Sequence, residues 1–312
     1  MRWASLLDVL MPVEKHEGMY FKRDDKFAPR GYGSINGAKM RQCLYLVDKW
    51  VREEQIQGVA SGSVSQSPQH IFIAAICNHY NIHCYIVSGV KNPMEHKYLR
   101  MAHEEGAHIK TSKVGYAKAC GGMAQKDAKK FKGFRFLETN ITLEDKVNTH
   151  EDIEAFHAVG AKQVRNFPKH IETLIVPCGS CNSITSILYG IVKHPPASLK
   201  HIVLMGIGNI GSNNIGYVEE RLTNLCATKD IDITGLFDFE FGGKGYKYSM
   251  EHHDLNGTGF CTYQTEMRER VNNIEFHPRY EGKCIRYIRQ NLMHHWGENT
   301  LFWIVGSDIK WR

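Results

Sequence analysis

The chain has 312 residues, a formal charge of +6 and 17 histidines, enough length for one large or two modest domains. With 42% apolar and 23% charged residues, no apolar run near the roughly 18 residues of a membrane span and no signal-peptide core at the N-terminus, a cytoplasmic globular protein is expected. Nine scattered cysteines, an odd number in a long chain, argue against a secreted disulfide framework. The mild positive charge suits an anionic ligand or nucleic acid and requires neither.

Tyr20 to Asp25 is a short strand-like run ending in charges, followed by a Gly- and Pro-containing loop from Ala28 to Gly37. A helix is expected from Ala38 to Trp50, with Met40, Cys43, Leu44, Leu46, Val47 and Trp50 at helical spacing. Gly58-Val59-Ala60 reads as a buried strand. It runs into a loop of small hydroxyl residues, Ser61 to Gln69, with Pro68 placed to start the next helix, Gln69 to Tyr80. The alternation continues. Strands are expected at His83–Val87, His108–Thr111, Phe134–Leu137, Thr173–Pro177 and His201–Gly206. Helices are expected at Glu95–Glu105, Tyr116–Lys130, His150–Arg165 and Ile184–Val192. Strand and helix in alternation mean parallel sheets with crossover helices. Residues 206–262 are Gly-rich and give no clear period.

Two loops have the chemistry of a ligand site at the carboxyl end of a parallel strand. One is Ser61 to Gln69. The other is Cys178-Gly179-Ser180-Cys181-Asn182-Ser183, between a strand and a helix. Small residues there let backbone amides approach an anion at a helix N-terminus, a phosphate above all; a plain connection has the same composition. The CxxC spacing within the second loop has no companion pair, so we read Cys178 and Cys181 as loop residues and expect no metal there. The basic cluster Lys126, Lys129, Lys130, Lys132 and Arg135 reads as a solvated helix face.

Lys39 lies in the first turn of its helix, after Asn36-Gly37, where the helix dipole disfavours a cation. It is either a solvated surface lysine or an amine kept partly neutral for attack on a carbonyl.

Together these stretches resemble the tryptophan-synthase-β-like family of pyridoxal phosphate (PLP) enzymes, and within it the branch of 1-aminocyclopropane-1-carboxylate deaminase and D-cysteine desulfhydrase. Lys22-Arg23-Asp24-Asp25 is similar to that branch's Lys-Arg-Asp/Glu-Asp. Asn36-Gly37-Ala38-Lys39-Met40-Arg41 with Tyr45-Leu46 resembles its lysine segment, and Gly179 to Ser183 its Gly-Ser-Gly-Gly-Thr phosphate loop. Pro278-Arg279-Tyr280-Glu281-Gly282-Lys283 resembles Pro-Val-Tyr-Glu-Gly-Lys. The departures are Pro68 at the position of the family's cofactor-contacting Asn, with Gln66 or Gln69 as substitutes, Cys181 and Asn182 for two glycines, and Ile304-Val305-Gly306-Ser307 for the family's His-x-Gly-Gly.

The resemblance implies two three-layer α/β/α domains with mostly parallel sheets and PLP in the cleft between them. The large domain would comprise residues 1–52 with 150–312, the small one 53–149. It further implies that Lys39 forms a Schiff base with PLP, that Gly179, Ser180, Cys181, Asn182 and Ser183 hold the phosphate, and that Glu281 faces the pyridine nitrogen. A carboxylate there favours quinonoid chemistry at Cα: deamination, elimination, racemisation or decarboxylation. Tyr280 is a candidate proton shuttle, and Ser65, Gln66, Ser67 and Gln69 are candidate substrate contacts; turn and helix-terminal roles are the alternatives. The expected activity is a PLP-dependent lyase or deaminase acting on a small amino acid, in a homodimer. Two other readings stand beside it. One is a decarboxylase or lyase acting on an amino acid attached to modified viral nucleic acid. The other is a degenerate member that binds a ligand without catalysis.

Overall fold

In a computed structural model, residues 3–138, 149–208 and 215–310 are described. The elements in chain order are β1 (Val13–His16), β2 (Met19–Arg23), α1 (Ala38–Glu54), β3 (Gly58–Gly62), α2 (Gln69–Tyr80), β4 (His83–Ser88), α3 (Lys97–Glu104), β5 (His108–Thr111), α4 (Ala117–Ala128), β6 (Phe134–Phe136) and α5 (His150–Ala161). They continue with β7 (Thr173–Cys178), α6 (Asn182–Lys193), β8 (His201–Gly206), α7 (Ile215–Ala227), β9 (Ser249–Asp254), β10 (Arg270–Val271), β11 (Ile274–Glu275), α8 (Glu281–Asn291) and β12 (Thr300–Ile304). The chain divides into two compact units. The first is chiefly Gln42–Phe156, the second Ser5–Arg41 with His157–Lys310.

The first unit is built on a four-stranded parallel sheet in the order β5-β4-β3-β6. Its central strands β3 and β4 are short and largely buried, as strands covered on both faces are, while the edge strand β5, His-Ile-Lys-Thr, is mostly exposed. Ala60 and Val87 pack on Cys120, Ala124 and Ala128 of α4. The buried run Ile71, Phe72, Ile73, Ala74, Ala75 and Ile76 makes α2 apolar all round, and α2 packs on β3, β4 and α3. Two of the five residues of the basic cluster are paired locally. Lys130 pairs with Asp127, and Arg135 pairs with Glu54 and Asp152.

The second unit has a six-stranded sheet in the order β1-β2-β12-β7-β8-β9. All pairings are parallel except the β1–β2 hairpin. Side chains alternate between its faces. Leu174, Val176, Ile202, Leu204, Leu301 and Trp303 face one core with α6 and α7. Ile175, Val203, Met205, Phe302 and Ile304 face the other with α8. Each such side chain contributes about 1.5–3 kcal/mol on burial. The result is three layers, helix on sheet on helix.

Several expected boundaries shift. The run beginning at Tyr20 leaves the sheet after Arg23, because Asp24–Lys26 form a 3₁₀ turn held by the Phe27 amide on the Asp24 carbonyl. Ser61 and Gly62 belong to β3 rather than to the loop. The helix expected to reach Arg165 ends at Ala161 and tightens into a 3₁₀ turn over Lys162–Asn166. Glu95 lies in a separate turn capped by the Asn92 side chain. No helix among the described residues is long and apolar enough to cross a membrane.

Candidate active site

In the second unit the carboxyl ends of β2, β12, β7 and β8 come out on one edge of the sheet, where loops of parallel sheets gather ligands. Each of the four sequence motifs contributes there or next to it.

The Lys22-Arg23-Asp24-Asp25 motif is almost wholly buried. Asp25 takes a two-pronged bond from Arg23, Nε–Oδ1 2.9 Å and Nη2–Oδ2 2.8 Å. Asp24 accepts from Arg41 at 3.1 Å and from the Trp303 indole at 3.0 Å. Lys22 donates to the Met11 carbonyl and to Asn166 Oδ1; its burial brings its pKa down to about 8, against the opposing pull of Asp24. Arg23 is spent on Asp25 and Glu14, and Asp24 on Arg41 and Trp303, so the motif locks β2 to β12 and to the start of α1.

Gly37 has φ +96°, a conformation glycine adopts without strain. A Cβ there would stand 2.5 Å from the Val305 carbonyl oxygen. This close approach lets the Ala38 amide donate to Val305 O at 2.8 Å. Asn36 completes the join: its Oδ1 accepts from the Ser307 amide at 2.8 Å, and its Nδ2 donates to the Ser34 carbonyl at 2.7 Å. α1 therefore starts at Ala38 and sets Lys39, half-buried, in its first turn, as the sequence led us to expect.

Val305 and Gly306 turn their amides to Glu281. Its Oε1 accepts both, at 3.2 and 3.1 Å. Glu281 is fully buried at the head of α8, and its Oε2 has no hydrogen-bond partner among the described residues. Burial, aided by the nearby Asp25 charge and opposed by the amide bonds, pushes its pKa up to about 8. An orphaned oxygen on a buried carboxyl is expensive unless a ligand pairs with it. Tyr280 precedes it, with its ring 4.4 Å from that of His277 and its hydroxyl 3.4 Å from that of Tyr263. Lys283 is buried on the Thr262 and Tyr263 carbonyls.

The loop after β7 runs Gly179-Ser180-Cys181, with Asn182 and Ser183 opening α6. Cys181 adopts φ +65°, the left-handed region where the family has glycine. Its Sγ lies 3.4 Å from Cys178 Sγ, with no disulfide between them. That contact and full burial hold the Cys178 thiol protonated. Arg221 of α7, which sequence reasoning missed, donates to the Ser180 carbonyl at 2.9 Å; its Nε has no partner among the described residues. Its charge, after the larger effect of burial, brings His157 down to about 3. A helix N-terminus backed by a buried guanidinium is a strong anion site.

In the first unit, Gln69 is buried, and its Nε2 donates to Ser61 Oγ at 3.1 Å and to the Glu138 carbonyl at 3.2 Å. Ser65 and Ser67 are buried, and Gln66 is half-buried. The Ser67 amide closes a turn onto Val64 O, and Pro68 caps α2 without a side-chain bond.

No protein-family profile matches the chain. Among curated proteins it is 33% identical to the O-seryl-dTMP PLP-dependent decarboxylase of Salmonella phage ViI, over 94% of this chain and 79% of that protein. Among solved structures it is similar to an ACC deaminase homologue, with a TM-score of 0.68 and 13% identity over 98% of this chain and 94% of that one. It is also similar to diaminopropionate ammonia lyase from Escherichia coli, with a TM-score of 0.59 and 12% identity over 99% and 89%.

The curated match, with the fold, defines a PLP-dependent enzyme. The chain belongs to the tryptophan-synthase-β-like family of PLP enzymes, fold type II. The non-catalytic reading is thereby set aside. The second unit fits the cofactor: it has a buried carboxyl oxygen without a partner among the described residues for a ring nitrogen, and a small-residue loop at a helix N-terminus, with the Arg221 guanidinium behind it, for a phosphate.

Proposed function

We propose that the chain is a decarboxylase that removes CO2 from a seryl group carried on a thymidine nucleotide, or on a close relative of one. The observation that carries this reading is the 33% identity, over 94% of the chain, to a protein named for that reaction. Loss of CO2 needs a free α-carboxylate and a free α-amine, so the substrate would be joined to its carrier through the serine side-chain oxygen.

Bound PLP supplies the electron sink for the pair left at Cα. Lys39 would carry the cofactor and hold the proton delivered to Cα. Glu281 Oε2 would hold a proton toward the ring nitrogen, and its raised pKa suits that task. Gly179 to Ser183 and Arg221 would bind the phosphate. Tyr280, at the start of α8, shields the ring or passes a proton. Ser65, Gln66, Ser67 and Gln69 bind the substrate's carboxylate or its carrier. The large domain (1–52 with 150–312) would provide the cofactor site and the small one (53–149) the substrate contacts. A homodimer follows from the family resemblance, and light scattering would test it.

The test is CO2 release from seryl-linked thymidine monophosphate and from free serine, with and without Lys39→Ala. We expect turnover of the nucleotide alone, loss of turnover in the variant, and a visible cofactor band that the variant lacks. Borohydride reduction followed by mass spectrometry should place the cofactor on Lys39. Ammonia or pyruvate from free amino acids, without CO2 from the nucleotide, would replace this reading with a deaminase.

A further inference from the structure

The face of the second unit's sheet that packs on α8 carries a polar cluster outside the site described above. His201 opens β8 and pairs in register with Ser249 of β9. Because strand side chains alternate, Ser249, Glu251 and His253 share the face of His201. His295 joins them from the 3₁₀ turn Met293–His295 that follows α8.

Glu251 is the hub. Its Oε2 stands 3.1 Å from His201 Nε2 and 3.4 Å from His295 Nε2. Its other oxygen, Oε1, makes a close contact with His253 Nε2. The donor atoms of His201, Glu251 and His295 all lie within 4.8 Å of one another. His295 Nε2 is buried and forms no hydrogen bond among the described residues.

The Ser249 hydroxyl lies 3.2 Å from the Lys200 carbonyl and 2.8 Å from His201 Nδ1, which fixes the His201 ring and turns its Nε2 to Glu251 Oε2 at 3.1 Å. A shared proton or a bound cation satisfies that contact equally; the second imidazole nitrogen at the same oxygen, His295 Nε2 with no hydrogen bond among the described residues, favours the cation. A Zn²⁺ ion with ligands at about 2.0–2.1 Å in tetrahedral array spaces its donors by roughly 3.4 Å, which agrees with the Glu251 distances. Two imidazoles and one carboxylate are a donor set for borderline divalent transition ions.

We propose that His201 Nε2, Glu251 Oε2 and His295 Nε2 bind one Zn²⁺-class ion, with Ser249 and His253 orienting the ligands. The hydroxyl on Nδ1 fixes the His201 ring. His253 holds the second carboxylate oxygen and meets Tyr287 Oη through its Nδ1 at 3.4 Å. The ion would tie the edge strand β9, its neighbour β8 and the turn after α8 into one unit. The 11 residues of α8 span about 16 Å between Glu281 and that turn, so the ion lies away from the cofactor chemistry and its role is structural.

The test uses the full chain loaded with PLP. Zn²⁺ is titrated against a chromophoric chelator and bound metal is counted by mass spectrometry. One equivalent per chain is expected, with binding weakened about 100-fold or more in Glu251→Gln and in His295→Ala, beyond what loss of an outer partner costs. His103→Ala, an exposed histidine of α3, should bind as the parent does. An unchanged cofactor band and circular dichroism in the variants show that they fold. Co²⁺ should give visible bands of nitrogen and oxygen coordination, without thiolate charge transfer, and Zn²⁺ should raise the melting temperature of the parent and not of Glu251→Gln. Equal binding by parent and Glu251→Gln, a thiolate spectrum, or no ion retained at micromolar Zn²⁺ would each overturn the proposal.

Discussion

Glu281 and Ala38 are joined through a single residue: the Val305 amide donates to Glu281 Oε1 at 3.2 Å, and the Val305 carbonyl accepts from the Ala38 amide at 2.8 Å. The buried carboxyl and the helix that bears Lys39 thus share one backbone anchor after β12.

Glu281 should make the cofactor-free protein pH-sensitive. Its pKa is about 8 in the folded chain against an ordinary 4.5. Between those values the folded chain holds a proton that the unfolded chain has lost. Stability from this group is therefore intact below about pH 4.5 and falls as pH rises towards 8, by at most about 5 kcal/mol. Urea unfolding of the cofactor-free protein at pH 5 and pH 8 checks this. The parent should lose several kcal/mol more than Glu281→Gln across that interval, and parallel losses would contradict the assignment. With the ring nitrogen placed against Glu281 as proposed, saturation with PLP should shrink the difference.

Gly37→Ala should be severe. The left-handed backbone alone costs on the order of 1–3 kcal/mol, and the new Cβ would push against Val305 O at 2.5 Å. Gly18, in the β1–β2 hairpin at φ +81°, has nothing within 4 Å of such a Cβ. Gly18→Ala should show the backbone cost alone. Chemical denaturation gives both values. Borohydride trapping of PLP should fall in Gly37→Ala and be unaffected in Gly18→Ala. Equal effects would mean that the contact with Val305 is not a constraint.

The legible parts of the chain were those where periodicity and punctuation agree. Asn36-Gly37 before an amphipathic run placed Lys39 in the first turn, and small residues after an apolar strand marked the loop at 179–183. The stretch 206–262 was opaque for a physical reason. β9 is an edge strand, and its alternation of Ser249, Glu251 and His253 with Met250, His252 and Asp254 carries charge on both faces, as edge strands often do. α7 had a signal that went unused: Val218, Leu222, Leu225 and Cys226 are all buried at helical spacing. Arg221 on that helix reads as an ordinary polar position, and only the fold brings it to Ser180. The tie from Val305 and Gly306 to Glu281 runs through backbone amides, which no side-chain pattern encodes.

Cys181 stands where the family has glycine, in a conformation that costs a non-glycine residue about 1–2 kcal/mol. Cys181→Gly should recover part of that cost and keep cofactor affinity. Cys181→Val adds a branched Cβ to the same left-handed backbone, so it should lower the melting temperature and weaken PLP binding. Thermal melts and a PLP titration separate the two. If the glycine variant is the less stable, the Cys178 contact at 3.4 Å outweighs the backbone term.

Arg221 tests the anion site most directly. Its guanidinium is mostly buried, spends one donor on the Ser180 carbonyl and leaves Nε without a partner among the described residues. A hydrogen bond from a charged donor contributes about 1.5–3 kcal/mol, so Arg221→Met should weaken PLP binding by about 10- to 100-fold. Lysine restores the charge without the forked geometry, so Arg221→Lys should recover only part of the loss. Pyridoxal, which lacks the phosphate, supplies the control: its affinity should be the same in all three proteins. If Arg221→Met lowers thermal stability but leaves the ratio of phosphate to non-phosphate affinities unchanged, the guanidinium serves only to hold the loop at Ser180, and the anion rests on the backbone amides of α6 alone.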